Sequence, residues 1–105
     1  MPIKRKRVSP PNPAIDRLRR DLIQEWRQPR EDAPEPIILE EGGAQNRPTH
    51  LYVIWSEWAE LNQQERSEII MDAYEEVRGK DASLRVSVAM GLTSKEAERM
   101  NINYE

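Results

Sequence analysis

Three stretches of this chain predict an α+β fold in the order α-β-β-α-β-α, a mixed three-stranded sheet with helices packed on one face behind a disordered basic N-terminal arm. Ile15, Leu18, Leu22, Ile23 and Trp26 recur at helical spacing. Leu51-Tyr52-Val53-Ile54-Trp55 is a short apolar run of β-branched and aromatic residues, the composition of a central strand covered on both faces. A second helical stripe, Ile69, Ile70, Ala73, Tyr74 and Val77, is followed by the alternating Leu84, Val86, Val88 and Met90. At 105 residues the chain has room for one domain, over 13–100, with residues 1–12 as the arm and 101–105 as a frayed end.

In the arm, Lys4-Arg5-Lys6-Arg7 repel one another and Ser9-Pro10-Pro11-Asn12-Pro13 removes backbone donors, which favours an extended, unpacked chain. Asn12 suits a helix cap and Pro13 the first helical position, so the first helix is expected over Pro13 to Trp26. Pro29, Pro34 and Pro36 make a loop, Ile37-Ile38-Leu39 a short strand, and Gly42-Gly43 to Pro48 a connection to the strand over Thr49 to Trp55. In that strand Leu51, Val53 and Trp55 share one face, and Tyr52 and Ile54 the other. Asn62 and Glu65 have capping-box spacing and open the second helix, which Gly79 stops. Lys80-Asp81-Ala82 is a turn, Leu84 to Met90 a half-buried strand ending in a turn at Gly91, and Thr93 with Glu96 a second capping box opening a helix through Met100.

Charge is unevenly distributed. Residues 1–30 hold nine Lys or Arg against three acids, a net +6, whereas the rest of the chain holds seven against sixteen, a net −9. Such asymmetry points to an anionic partner for the basic third, or to pairing of the basic helix with an acidic surface of its own chain or of a second copy. Lys4, Arg5, Lys6, Arg7, Arg17 and Arg20 are the candidate nucleic-acid contacts. Glu68, Asp72, Glu75 and Glu76 form an acidic face on the second helix, and with Trp58 they make up a candidate protein-partner surface. The competing reading of Trp58 is that it caps the core beside Trp26.

Catalytic and metal chemistry find little support. With no cysteine, this chain offers no disulfide, thiolate site or cysteine nucleophile. His50, the one histidine, has no recognisable set of companion ligands and reads as a surface or strand-edge residue. Ser56 beside Glu57 and Glu60 is too common a grouping to mark a nucleophile, and Glu40, Glu41, Glu57 and Glu60 have no cation-binding spacing. No enzyme activity, metal or cofactor is expected. Nor does any apolar run approach the ~20 residues of a membrane helix, so a cytoplasmic protein with no membrane partner is expected. The function these features predict is a small interaction or regulatory module, binding a protein partner or itself through a sheet edge or the basic helix, with nucleic-acid binding as the alternative.

The element order also resembles that of the BolA-like proteins, whose fold is of the type II KH kind. Leu51-Tyr52-Val53-Ile54-Trp55-Ser56-Glu57-Trp58 looks like that family's central strand followed by a serine and an aromatic. Glu65-Arg66-Ser67-Glu68-Ile69-Ile70 stands where the family has an Arg-His-Arg segment opening its long helix. Arg66 matches the first arginine, while Ser67 occupies the histidine position and Glu68 that of the second arginine. In the family this histidine helps ligate an iron–sulfur cluster shared with a monothiol glutaredoxin, so what the resemblance implies here is a fold, not cluster binding. Gly42-Gly43, predicted between strands, likewise differs from the Gly-x-x-Gly loop between helices with which KH relatives hold single-stranded nucleic acid.

Overall fold

Helix α1 (Pro13–Arg27) starts at the predicted proline and buries Leu18, Leu22 and Trp26, with Ile15 and Ile23 partly buried beside them. The computed structural model describes residues 13–32, 34–42 and 47–102; the arm expected over 1–12 and most of the Gly42–Pro48 connection lie outside the described residues. Strand β1 (Ile37–Gly42) pairs antiparallel with β2 (Thr49–Ile54), and β2 pairs parallel with β3 (Val86–Leu92), giving the sheet order β1-β2-β3. Helix α2 (Gln63–Arg78) supplies the crossover that lets β3 run parallel to β2. The order is the expected α-β-β-α-β-α, with a 3-10 turn at Ser56–Glu60 and a single helical turn, α3 (Lys80–Ser83), added to it. The last helix is α4 (Ser94–Arg99).

Both capping boxes are formed. Asn62 accepts from the Glu65 backbone N–H while Glu65 accepts from that of Asn62, and Thr93 and Glu96 do the same for α4. Gly79 ends α2 at a φ of 93°, in the left-handed region that favours glycine.

The alternation of β2 divides the core in two. Leu51 and Val53 join Leu18, Leu22, Trp26, Trp55, Trp58, Ile69, Ile70, Ala73 and Tyr74 under α1 and α2, which occupy one face of the sheet as predicted. Helix α4 is the exception. Its Ala97 packs with Ile54 and Leu92, residues of the opposite face, together with the partly buried Ile37, Leu39, Tyr52, Met90 and Ile102. Only the Ile54 end of β2 is therefore covered on both faces; Tyr52 and His50 stay half-exposed.

Three sequence expectations need correction. The turn placed at Gly91 is strand: Gly91 is a buried residue of β3, and a Cβ there would stand 2.8 Å from Arg66 Cβ and 3.0 Å from the Trp58 indole. Glycine serves here for close approach, not for bending. Leu84 is 74% exposed because α3 carries the chain past it before β3 begins at Val86. The C-terminal fraying does not reach Asn101 and Ile102. Asn101, at φ 57°, donates to Glu98 O and Ile102 donates to Ala97 O at 3.0 Å, a Schellman closure that folds Ile102 back onto the Ala97 cluster.

Candidate functional site

The predicted contact residues do not converge on one surface. Lys4, Arg5, Lys6 and Arg7 lie outside the described residues. Arg17 is exposed but neutralised locally, 3.7 Å from Asp21 and 3.5 Å from Glu57. Arg20 is exposed beside a shallow groove that Pro13, Asp16 and Arg19 also line. On α2, Asp72 meets Arg19 at 3.3 Å, Gln64 donates to Glu68, and Glu75 and Glu76 are exposed. The basic face of α1 and the acidic face of α2 thus meet within the chain, because the apolar stripes that pack the two helices bring Arg19 over Asp72.

Trp58 is not an exposed anchor. It is fully buried, its indole N–H donates to Val53 O at 3.0 Å, and its ring stands edge-on to Trp55 at 5.1 Å. The 3-10 turn swings it inward, and the Gly91 backbone leaves room for the indole. The core-cap reading holds, with Trp55 as the neighbour in place of Trp26.

Trp26 belongs to another cluster. Its indole N–H donates to Glu40 Oε1 at 2.8 Å, Arg78 donates to the same oxygen at 2.9 Å, and Tyr74 lies 5.5 Å away, tilted against the ring. Burial, and next the charge of Glu40, push the Tyr74 hydroxyl above its ordinary pKa. The shared hydrogen bond to Glu40 raises that of Arg78. This arrangement fastens β1 to α1 and α2.

The densest polar arrangement is one that sequence reasoning passed over. Arg66 is only 5% exposed, yet its guanidinium is surrounded by hydrogen-bond acceptors. Its Nε donates to Trp58 O at 3.0 Å and Leu61 O at 2.9 Å, and its Nη1 donates to Gly91 O at 3.0 Å and Glu96 Oε1 at 2.7 Å. The backbone N–H of Thr93, and then Arg66, hold the Glu96 carboxyl below the usual carboxylate range, against an opposing effect of burial. A buried arginine with all these partners is a structural tie. The one sequence signal for it was the resemblance that matched Arg66. Ser67, at the position of the family's histidine, donates its hydroxyl to Ala89 O at 2.5 Å.

These side chains also close a sheet edge. In a parallel strand alternate carbonyls point away from the partner strand. On β3, Ala89 O is taken by Ser67, and Gly91 O by Arg66 and by Gln63 Nε2 at 2.7 Å. The opposite edge, β1, follows Pro36 and carries Glu40 and Glu41, features that discourage another strand from adding.

Among the described residues, the outer face of the sheet is the less covered one. Strand register places Leu39, Tyr52 and Met90 in one row across the sheet, beside the Ile54–Leu92–Ala97 cluster, and Glu41, His50 and Val88 in the next. Leu39, Tyr52, Met90, His50 and Val88 are half-exposed and Glu41 is exposed. Met100, which follows α4, is 49% exposed. The signal was present in the alternation of Ile37 with Leu39 and of Tyr52 with Ile54; the missing knowledge was which helix covers that face.

Among the described residues no group of three or more His, Cys, Asp or Glu is placed to hold a metal ion, and no helix is long and apolar enough to cross a membrane. Glu40, Glu41, Glu57 and Glu60 do not come together, since Glu40 is taken by Trp26 and Arg78 and Glu57 faces Arg17. Comparison with known protein families, with curated proteins and with solved structures finds no match.

Proposed function

We propose that this protein is a small non-enzymatic interaction or regulatory module, working in the cytoplasm, that binds a protein partner through the outer face of its sheet. The observation that supports the reading is the apolar row Leu39, Tyr52 and Met90, which packs beside the Ile54–Leu92–Ala97 cluster and keeps part of its surface exposed. A contiguous apolar patch on a small domain marks a surface used for association more often than a scattered exposed leucine does. The closed β3 edge and the charged β1 edge favour this face over the sheet edges for contact.

The resemblance to BolA-like proteins is retained as a proposal about fold type alone. It is supported by the element order and by the mixed sheet, and it adds no cluster chemistry, because Ser67 stands in the ligand position and is engaged with Ala89 O. Nucleic-acid binding through Lys4, Arg5, Lys6, Arg7, Arg17 and Arg20 is the weaker alternative, since Arg17 is already paired with Asp21 and Glu57.

A binding comparison tests the reading. The chain and a Leu39→Lys/Met90→Lys variant, both verified as folded by circular dichroism, are immobilised and the retained proteins identified by mass spectrometry. Partners held by the chain and lost by the variant support the outer face. Identical retained sets remove it, and retention on DNA that falls steeply with salt and vanishes on deletion of residues 1–12 supports the alternative.

A further inference from the structure

Few side chains bury Ile54 and Leu92 on the outer face. Of those clustered with them, Ile37, Leu39, Tyr52 and Met90 belong to the strands themselves, and the two from beyond the sheet, among the described residues, are Ala97 and Ile102. Strand register sets Ile37, Ile54 and Leu92 in one row and Leu39, Tyr52 and Met90 in the next. This cluster shares no side chain with the inner core under α1 and α2.

Helix α4 is held there by a charged latch. Glu96 Oε1 accepts from Arg66 Nη1 at 2.7 Å and from the Thr93 backbone N–H at 2.8 Å, so one oxygen both caps α4 and fastens it to α2. Ser94 Oγ stands at a longer 3.5 Å from Glu35 Oε2. The backbone hydrogen bonds of this segment close on themselves, Ala97 donating to Thr93 O and Ile102 to Ala97 O. Opening the latch leaves Arg66 with acceptors, because Trp58 O, Leu61 O and Gly91 O all lie outside α4. The Glu96 side chain is 36% exposed, so water already reaches the carboxylate that would be freed.

Resting on the interaction reading above, we propose that α4 is a displaceable cover that regulates the outer face: residues 93–102 leave the sheet as one unit when the Arg66–Glu96 latch breaks, while the sheet, α1 and α2 stay folded. A segment opens on its own when it has few buried contacts and a boundary of its own, and α4 has both, in a separate small cluster and a single charged fastening. The open form presents Ile54 and Leu92 beside the Leu39-Tyr52-Met90 row. The closed form is the ground state, and a partner that binds the open one draws the population toward it.

Native-state amide hydrogen exchange of the full chain reads the opening without any partner. The hydrogen-bonded amides of Ala97, Met100, Asn101 and Ile102 should exchange about a hundredfold or more faster than those of Ile70 and Ala73 in α2. Ile70→Val lies in the inner core and destabilises the closed and open forms alike, so it speeds the α2 amides about two- to tenfold and leaves the α4 amides unchanged. Glu96→Gln keeps a capping acceptor but removes the charge; it destabilises the closed form alone and speeds both sets about fivefold. A response of the α4 amides to Ile70→Val means that α4 comes away only in global unfolding, and overturns the proposal. Indifference of those amides to Glu96→Gln means fraying beyond an intact latch, and overturns it equally. Identical retained sets in the capture comparison remove the interaction reading without touching the opening.

Discussion

The two faces of the sheet are made by alternate residues of the same three strands, yet they have opposite surroundings. On the inner face Leu51 and Val53 lie under two helices, three tryptophans and Tyr74, and the polar groups that remain there are tied by Arg66 and Glu40. On the outer face Ile54 and Leu92 are covered by Ala97, and the rows beyond them are half-exposed. The contrast divides the sheet: the inner face is closed by packing and hydrogen bonds, and the outer face keeps partly exposed apolar side chains among the described residues.

That division is broken most directly at Trp58. Trp58→Ala removes a fully buried indole and its hydrogen bond to Val53 O, and should lower the unfolding free energy by about 3–5 kcal/mol in a urea titration. A loss below about 1 kcal/mol would mean the inner face is not the stabilising one. Next in size is Arg66→Met. It strips donors from the carbonyls of Trp58, Leu61 and Gly91 and a partner from Glu96, at a cost of about 3 kcal/mol by the same measurement.

A smaller effect is expected from pH. Glu96 has a folded-state pKa below its unfolded value of about 4.5, so its contribution is present above that pH and is lost as pH falls through the folded pKa. Tyr74 is shifted upward, so its contribution is complete below pH 10.0 and is lost as pH rises through the folded pKa. Thermal melts of Glu96→Gln and Tyr74→Phe should therefore flatten the acid and alkaline limbs respectively, each variant leaving the other limb in place.

The smallest stability change belongs to the outer face. Met90→Lys should stay within about 1 kcal/mol of the parent in urea, because the side chain is already half-exposed, while association through that face is lost. A larger loss would make Met90 a core residue and erase the distinction between the faces.

Much of the fold was legible because its signals are local. The stripe of α1, both capping boxes and the Gly79 stop each depend on residues within a turn or two of one another. Fraying was expected from Asn101 onward, and that reading missed the left-handed Asn101 whose Schellman closure docks Ile102. The site was less legible. Trp58 could be exposed or buried on the same local pattern, and Gly91 resembled a turn residue because a glycine needed for close approach looks no different in sequence from one needed for a bend.

The sequence by itself determined where most of the helices and strands lie and which residues of each are apolar, since hydrophobic period and end-capping chemistry act over short separations. Tertiary structure alone decided that Arg66 would be buried among acceptors from three elements, that Arg19 would meet Asp72, and that α4 would cover only one end of the outer face. Those outcomes join residues as far as 53 positions apart, and they follow from how the packed layers are placed in space, which no short stretch of the chain encodes.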